Sequence, residues 1–377
     1  MVGHVRWASA LACLSLAAVA CSNATAGSDV DTVHPRSDEV MIAPTEPANG
    51  DETHGEGNRE AGALPVAPWE PRDVHALANL GDSISQAFDA DDTRPIDIGT
   101  LKANPEKIFH DNPALSWIQG TDARIGSVRS HFTSLDANLV MTPFSRSGSG
   151  LVRDLEDQAK QIGKRGATPD LVYVLLGGND ICNRDKSTTA DPTATLYPVS
   201  QWREAAVKGL TALVESLPDG ATVRFLSMPR VDLLFETLAS TRVPVHMDTP
   251  IGPVTVNTTC KDLWSITAQE ANGICKIVTT ELDANKRKQI GARVDEYNAA
   301  LAEEVRRFDT DATLNPKHIH FQSEWHGSID EGNQINSSIG TYKFSPAEVS
   351  KLDCFHPSLV GQQHIADHAL TKAKWNP

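Results

Sequence analysis

Residues 74–85 read Val-His-Ala-Leu-Ala-Asn-Leu-Gly-Asp-Ser-Ile-Ser, and the rest of the chain is interpreted around them. The run before Gly81 is apolar and too short for a typical helix, which predicts a buried strand. Gly81 allows the backbone to turn sharply where that strand ends. Open α/β sheets place their sites at the carboxyl ends of strands. Ser83 is therefore a candidate nucleophile, with helix capping by Asp82 or Ser83 as the alternative explanation.

Downstream of this strand, apolar runs alternate with segments of helical periodicity. The clearest buried strand is residues 170–176, which are almost wholly apolar, as central parallel strands are. Such alternation predicts a parallel sheet with helices on both faces. The other predicted strands are 139–144, 222–228 and 318–321, and the predicted helices are 116–132, a segment starting at 151, 198–217, 287–308 and 359–373.

The composition excludes one class of partner. The chain has 377 residues and a formal net charge of −15, which argues against nucleic acid because phosphate binding requires a basic face. Hydrophobic residues make up 40% of the sequence, enough for a globular core. Because no second linker interrupts residues 66–377, we predict one folded domain there.

The N-terminal region has the pattern of an export signal. Residues 1–21 combine a short positive start, an apolar core too short to span a membrane and small residues before Cys21. Ala18-Val19-Ala20-Cys21 resembles a bacterial lipobox, with alanine where leucine is usual, so Cys21 is a candidate lipidation site. Plain secretion is the alternative. Residues 22–65 are polar and almost free of aromatic residues, which predicts a disordered tether. We therefore expect a membrane-anchored lipoprotein of the cell envelope, or otherwise a secreted or periplasmic protein.

Polar residues at three further points suit one chemistry together with Ser83. Asp353 and His356 are three residues apart on one turn. An imidazole can deprotonate a serine hydroxyl, and a carboxylate can hold that imidazole in the required tautomer. The Gly150 backbone N–H and the Asn179 side-chain amide can donate hydrogen bonds to the oxyanion that forms. This combination predicts nucleophilic attack on an acyl carbonyl.

These residues occur in four blocks that resemble those of the SGNH, or GDSL, hydrolase superfamily over about residues 75–370. The blocks are Gly81-Asp82-Ser83, Gly150, Gly177-Gly178-Asn179-Asp180 and Asp353-x-x-His356. Residues 179–183 and 353–357 are similar to the phospholipase B-like and acyloxyacyl hydrolase-like branches. The resemblance implies a flavodoxin-like three-layer α/β/α sandwich with a central parallel sheet. It also implies carboxylic ester hydrolysis without a cofactor or a metal.

The resemblance implies a role for each site residue. Ser83 is the nucleophile, His356 the base and Asp353 its orienting partner. The oxyanion hole is formed by the Ser83 N–H, the Gly150 N–H and the Asn179 amide. The second block departs from the family pattern, because Ser145 stands where asparagine is common and Gly148 lies in the same loop. Gly148 is thus the alternative oxyanion glycine.

Four cysteines lie in the predicted domain: Cys182, Cys260, Cys275 and Cys354. An even number in an exported chain predicts two disulfides, with three possible connectivities. Since Cys182 and Cys354 flank the third and fourth blocks, we expect them to pair and to rigidify both, which leaves Cys260 to pair with Cys275. The alternative is that Cys182 and Cys354 each bond one of the other two.

Several weaker features complete the interpretation. His318 and His320 would share a strand face, but with Glu324 as the only nearby aid they do not predict a metal site. Asp180 is expected to accept hydrogen bonds from nearby backbone N–H groups. Residues 230–285 form an insertion that we expect to shape the substrate cleft.

The leading hypothesis is an exported serine esterase or lipase acting on acyl esters of lipids or acylated glycans. The alternatives are a carbohydrate or peptidoglycan O-deacetylase of the same superfamily and a non-catalytic surface binding module. Membrane contact is expected only through the N-terminal anchor. The sequence does not determine the oligomeric state.

Overall fold

The computed structural model describes residues 71, 73–91, 94–104, 107–250, 252–267, 273–328, 338–371 and 375. All of them lie in the unit spanning Ala63–Pro377. The predicted signal, the candidate lipidation site Cys21 and the tether lie outside the described residues, so they stay predictions. None of the helices described is both long enough and apolar enough to cross a membrane.

Strands and helices alternate along most of the described chain. The strands are β1 (Ala76–Gly81), β2 (Ile96–Asp97), β3 (Val140–Pro143), β4 (Leu171–Leu175), β5 (Thr222–Phe225), β6 (Arg242–Thr249), β7 (Gly252–Thr259) and β8 (His320–Ser323). The helices are α1 (Ile98–Ala103), α2 (Val128–Leu135), α3 (Leu151–Lys164), α4 (Gly178–Cys182), α5 (Val199–Ser216), α6 (Asp232–Leu238), α7 (Cys260–Thr267), α8 (Lys276–Thr279), α9 (Ala284–Thr310) and α10 (Leu359–Leu370).

The main sheet has five parallel strands in the order β3-β1-β4-β5-β8. Strand β4 at its centre is buried along its whole length. Its residues alternate between two cores: Val172 and Val174 pack with the apolar faces of α3, α5 and α9. Leu171, Tyr173 and Leu175 pack with α10 and with the segment around residue 117 on the other face. The predicted three-layer α/β/α fold is confirmed.

The order of the strands positions the site. Strand β1 lies between β3 and β4, so the direction of winding reverses at β1, and open α/β sheets bind ligands at such a switch point. Gly81 at the end of β1 is in register with Leu175 at the end of β4. The turns that follow these two strands carry Ser83 and Asn179, which therefore lie at the same edge of the sheet.

Three predicted elements differ from the structure. The helix predicted over 116–132 is wrong in its first half, because the helix starts only at Val128 and the buried residues before it lie in an irregular segment. The last strand starts at His320, since His318 adopts a left-handed conformation with φ of 52°. The antiparallel hairpin of β6 and β7 inside the insertion has no counterpart in the prediction.

The predicted disulfide pairing is wrong. Cys182 bonds Cys275, and Cys260 bonds Cys354. Cys260 directly follows the hairpin, at the start of α7, and bonds the segment of Cys354. Cys275 directly precedes α8 and bonds the end of α4. Each bond therefore ties the insertion to one of the two predicted site segments, rather than tying those segments to each other. Two disulfides are typical of an extracellular or periplasmic protein.

Candidate active site

The structure brings Ser83, His356 and Asp353 into one chain of hydrogen bonds. His356 Nε2 lies 2.8 Å from Ser83 Oγ, and His356 Nδ1 lies 2.5 Å from Asp353 Oδ2. Asp353 is 1% exposed and Ser83 is 8% exposed. A buried carboxylate on Nδ1 leaves Nε2 available as the proton acceptor for the serine hydroxyl.

The turn that carries Asp353 and His356 is fixed by its own backbone. Asp353 Oδ1 accepts hydrogen bonds from the N–H groups of Phe355 at 2.8 Å and His356 at 3.1 Å. The indole N–H of Trp264, on α7, donates to the Asp353 carbonyl at 3.3 Å. The neighbouring Cys354 is bonded to α7 as well. The carboxylate is therefore oriented before any substrate binds.

Buried amide side chains hold the turn that carries the nucleophile. Gln158 on α3 bonds both ends of the Gly81 residue: its Oε1 accepts from the Gly81 N–H at 2.8 Å and its Nε2 donates to the Gly81 carbonyl at 3.0 Å. Gln362 donates to the Ile84 carbonyl at 3.0 Å. A Cβ at position 81 would lie 2.3 Å from Ser85 Oγ, so only glycine fits there. The sequence-based prediction assigned no such role to Gln158 or Gln362. The signal that could have identified them is an amide side chain on the inward-facing side of a helix.

The predicted oxyanion donors do not all face the same space. A cavity next to Ser83 is lined by Asn179 and Gly148, whereas Gly150 is not among the described residues that line it. The Gly150 N–H donates instead to Asp154 Oδ2 at 2.8 Å. A Cβ at position 150 would lie 2.6 Å from Asp180 Oδ1, which gives this glycine a steric role. The geometry therefore favours Gly148, the alternative, over Gly150.

Asp180 bonds the start of α3, as predicted. Its Oδ2 accepts from the Leu151 N–H at 2.5 Å and its Oδ1 from the Val152 N–H at 3.3 Å. Burial raises the pKa of Asp180 to about 6. Asn179 beside it donates from its amide to the Ser149 carbonyl at 2.9 Å, which fixes the orientation of the side chain.

Asp82 is a second buried carboxyl group beside the nucleophile. It is 2% exposed, and its Oδ1 accepts from the Ile84 N–H at 3.0 Å. Burial raises the pKa of Asp82 to about 7. The buried position of Asp82 therefore favours the protonated, neutral form of its carboxyl group more than solvent does for an ordinary aspartate.

The cavity has a volume of about 450 Å³. Its lining includes Ser83, Asn179 and His356, and most of the lining surface is apolar. Part of that lining comes from the insertion, as predicted. The half-buried apolar side chains along it are Ile84, Phe88, Phe109, Leu234, Ile274 and Phe355.

The weaker candidates from the sequence, Glu324, His318 and His320, are not among the described residues that line this cavity. Glu324 is fully buried and accepts from the Ile339 N–H and from His368 Nε2, the latter at 2.9 Å. His318 lies outside the strand that contains His320, so the two do not share a strand face. Within the described part of the chain, no cluster of three or more histidine, cysteine, aspartate or glutamate side chains is arranged to hold a metal ion.

Comparisons with known proteins give one family and several distant structures. The family model described as GDSL-like Lipase/Acylhydrolase matches residues 77–369. No curated protein matches the chain. Similar solved structures include an alpha/beta hydrolase from the metagenome of Lake Arreo, at 16% identity and a TM-score of 0.39, covering 79% of this chain and 94% of that one. A variant of Axe2, an acetyl xylan esterase from Geobacillus stearothermophilus, is 12% identical with a TM-score of 0.38 and covers the same shares, 79% and 94%.

Proposed function

The chain belongs to the GDSL-like lipase and acylhydrolase family, and we propose that it hydrolyses carboxylic esters with Ser83 as the nucleophile. The observation that carries this proposal is the chain of hydrogen bonds from Asp353 through His356 to Ser83, with Nε2 at 2.8 Å from the hydroxyl. A serine hydroxyl at its ordinary pKa is a weak nucleophile, and a base within hydrogen-bond reach activates it.

The proposed reaction has two halves. His356 Nε2 takes the proton of Ser83 Oγ as the oxygen attacks the ester carbonyl, and then gives that proton to the leaving alkoxide. In the second half, His356 takes a proton from water as the water oxygen attacks the acyl-serine; the bond between the acyl carbon and Ser83 Oγ then breaks, and His356 returns the proton to Ser83 Oγ as the carboxylic acid leaves. Asp353 stabilises the imidazolium that forms in both halves, because it is buried and bonded to Nδ1.

The carbonyl oxygen becomes an oxyanion in both halves. We assign its stabilisation to the Ser83 N–H, the Asn179 amide and a glycine N–H of the 148–150 loop. Gly148 is the better candidate for this glycine, since it lines the cavity whereas the Gly150 N–H is bonded to Asp154. One well-placed donor contributes roughly 3 kcal/mol of transition-state stabilisation.

We further propose that the enzyme acts on acyl esters at the cell envelope after export. The export pattern of residues 1–21 and the two disulfides support this location. Anchoring through a lipid on Cys21 would hold the domain at the membrane surface, and residues 22–65 would serve as the tether.

A comparison of two serines tests the activity. Ser147 also lines the cavity but lies outside the hydrogen-bonded chain. We expect Ser83→Ala to lower kcat for p-nitrophenyl butyrate by at least 1000-fold, while Ser147→Ala stays within about threefold of the wild type. A fluorophosphonate should label the wild type on the peptide that contains Ser83. Equal activity of the wild type and Ser83→Ala, or labelling elsewhere, would overturn the proposal.

A further inference from the structure

The cavity beside Ser83 has a mostly apolar lining, and the insertion supplies part of it. Leu234 on α6 and Ile274, just before α8, line it from residues 230–285. Phe88 and Phe109 line it from the long segment after Ser83. All four side chains are only partly buried, so they offer apolar surface to a ligand while they pack on the molecule's core.

We propose that this insertion is the acyl-binding wall of the enzyme and that Leu234 and Ile274 set the length of the acyl group it accepts. The preferred substrates are then esters of medium-length alkanoic acids rather than acetyl esters. This inference rests on the proposed ester hydrolysis and names the substrate class of the same site.

One charged residue in the cavity lining, Arg230, does not alter the apolar character of this wall. Arg230 lines the cavity, but its Nε and one terminal nitrogen bond both carboxylate oxygens of Asp232, at 2.7 and 2.8 Å. Its other terminal nitrogen donates to Asp295 on α9 at 2.7 Å. A Cβ at position 291 would lie 2.2 Å from this guanidinium, so Gly291 lets Arg230 pack directly on α9. Arg230 thus anchors the insertion instead of presenting a cation to the substrate.

The insertion is anchored close to both Leu234 and Ile274. The Arg230 network fixes the start of α6, four residues before Leu234. Cys275, adjacent to Ile274, is bonded to Cys182 at the end of the helix that carries Asn179. These two anchors hold Leu234 and Ile274 in place, so the space that they leave for an acyl chain is fixed.

The volume and the chemistry of the cavity agree with an alkyl chain. Small-molecule sites range over roughly 300–1000 Å³, and the 450 Å³ found here greatly exceeds the space that an acetyl group fills. Each methylene moved from water into an apolar wall favours binding by roughly fourfold. Sugar recognition requires several convergent polar groups, whereas most of the surface that lines this cavity is apolar.

The test compares kcat/KM for p-nitrophenyl acetate, butyrate, hexanoate, octanoate and decanoate, each below its solubility limit. For the wild type we expect octanoate to exceed acetate by at least tenfold. Leu234→Trp and Ile274→Trp should each lower the octanoate-to-acetate ratio by at least tenfold, and Leu234→Ala should move the optimum to a longer chain. The matched control is Leu282→Trp, because Leu282 belongs to the same insertion but is 66% exposed and outside the cavity lining.

The outcomes separate this inference from the underlying activity. A wild type that hydrolyses acetate best, or tryptophan variants whose ratio matches the wild type, overturns the acyl wall and leaves Ser83 as nucleophile intact. A wild type inactive on every ester overturns the proposed hydrolysis itself. If a tryptophan variant fails to fold, Leu234→Ala tests the same wall in the opposite direction.

Discussion

The ring of Phe88 lies against the imidazole of His356, with the ring centroids 4.8 Å apart and the planes inclined at 48°. Phe355 also contacts the imidazole, edge-on, with centroids 5.1 Å apart. Two aromatic rings therefore limit the rotation of the proposed base. An aromatic face close to an imidazolium also stabilises the positive charge that forms when the ring accepts the serine proton.

Replacing Phe88 should separate the aromatic contribution from apolar packing. We expect Phe88→Leu to lower kcat for a short ester by roughly fivefold, because about 1 kcal/mol of imidazolium stabilisation is lost. Phe88→Tyr keeps the ring and should recover most of the rate. Steady-state kinetics on p-nitrophenyl butyrate measure this; if leucine and tyrosine behave alike, the ring has no electronic or orienting role.

The two bonds from Gln158 to Gly81 should hold the nucleophile in place. Gln158→Leu leaves the buried Gly81 N–H without this partner, and we expect a loss of about 1–3 kcal/mol in the free energy of unfolding. The value of kcat should also fall, since the Ser83 turn follows directly. Urea denaturation and kinetics are compared with Gln161→Leu on the same helix, which should change neither; comparable effects of the two variants would contradict the assigned role.

The stability of the protein should depend on pH through Asp82. Its pKa rises from an ordinary 3.8 to about 7 on folding, so the folded state holds this proton more tightly than the unfolded chain does. The stability from this group is fully present below about pH 4 and is lost as the pH rises to about 7. Asp82→Asn should therefore flatten the fall in unfolding free energy between about pH 4 and pH 7, measured by urea denaturation. An unchanged slope would mean that Asp82 is ionised in the folded protein throughout.

The disulfide between Cys260 and Cys354 should stabilise both the fold and the turn of Asp353. It closes a span of 94 residues, and loss of such a bond typically costs about 2–5 kcal/mol. We expect the Cys260→Ser, Cys354→Ser double variant to unfold more easily and to lose activity. A peptide map without reducing agent should recover Cys260 linked to Cys354 and Cys182 linked to Cys275; any other linkage would contradict this pairing.

The parts of the fold visible in the sequence are those with a strong local pattern. The continuous apolar run of β4 and the polar turns after β1 and β4 predict the sheet and place Ser83 beside Asn179. The segment 116–127 differs from its predicted helix, because Trp117, Ile125 and Val128 are buried at helical spacing, yet Trp117 and Ile125 lie in irregular backbone. One of the bonds that hold them joins the Trp117 N–H to Gln362, a residue 245 positions away.

The disulfide pairing and the oxyanion glycine depend on geometry that a linear pattern does not contain. Cys260 and Cys275 are close in sequence, but Cys260, at the start of α7, bonds Cys354, whereas Cys275, directly before α8, bonds Cys182. Likewise, the family pattern points to Gly150, with Gly148 as the alternative in the same loop of small residues. In the structure, Gly148 lines the cavity, whereas the Gly150 N–H donates to Asp154.

Both disulfides end on the insertion, and this has a practical consequence for anyone who prepares the enzyme. In a reducing cytosol neither disulfide would form, so Ile274 and the turn of Asp353 would lose their covalent anchors. The chain-length preference and the rate of the enzyme would then both vary with the oxidation history of the sample. Two laboratories could then assign different substrates to the same polypeptide. A thiol titration of each batch should accompany every activity that is measured.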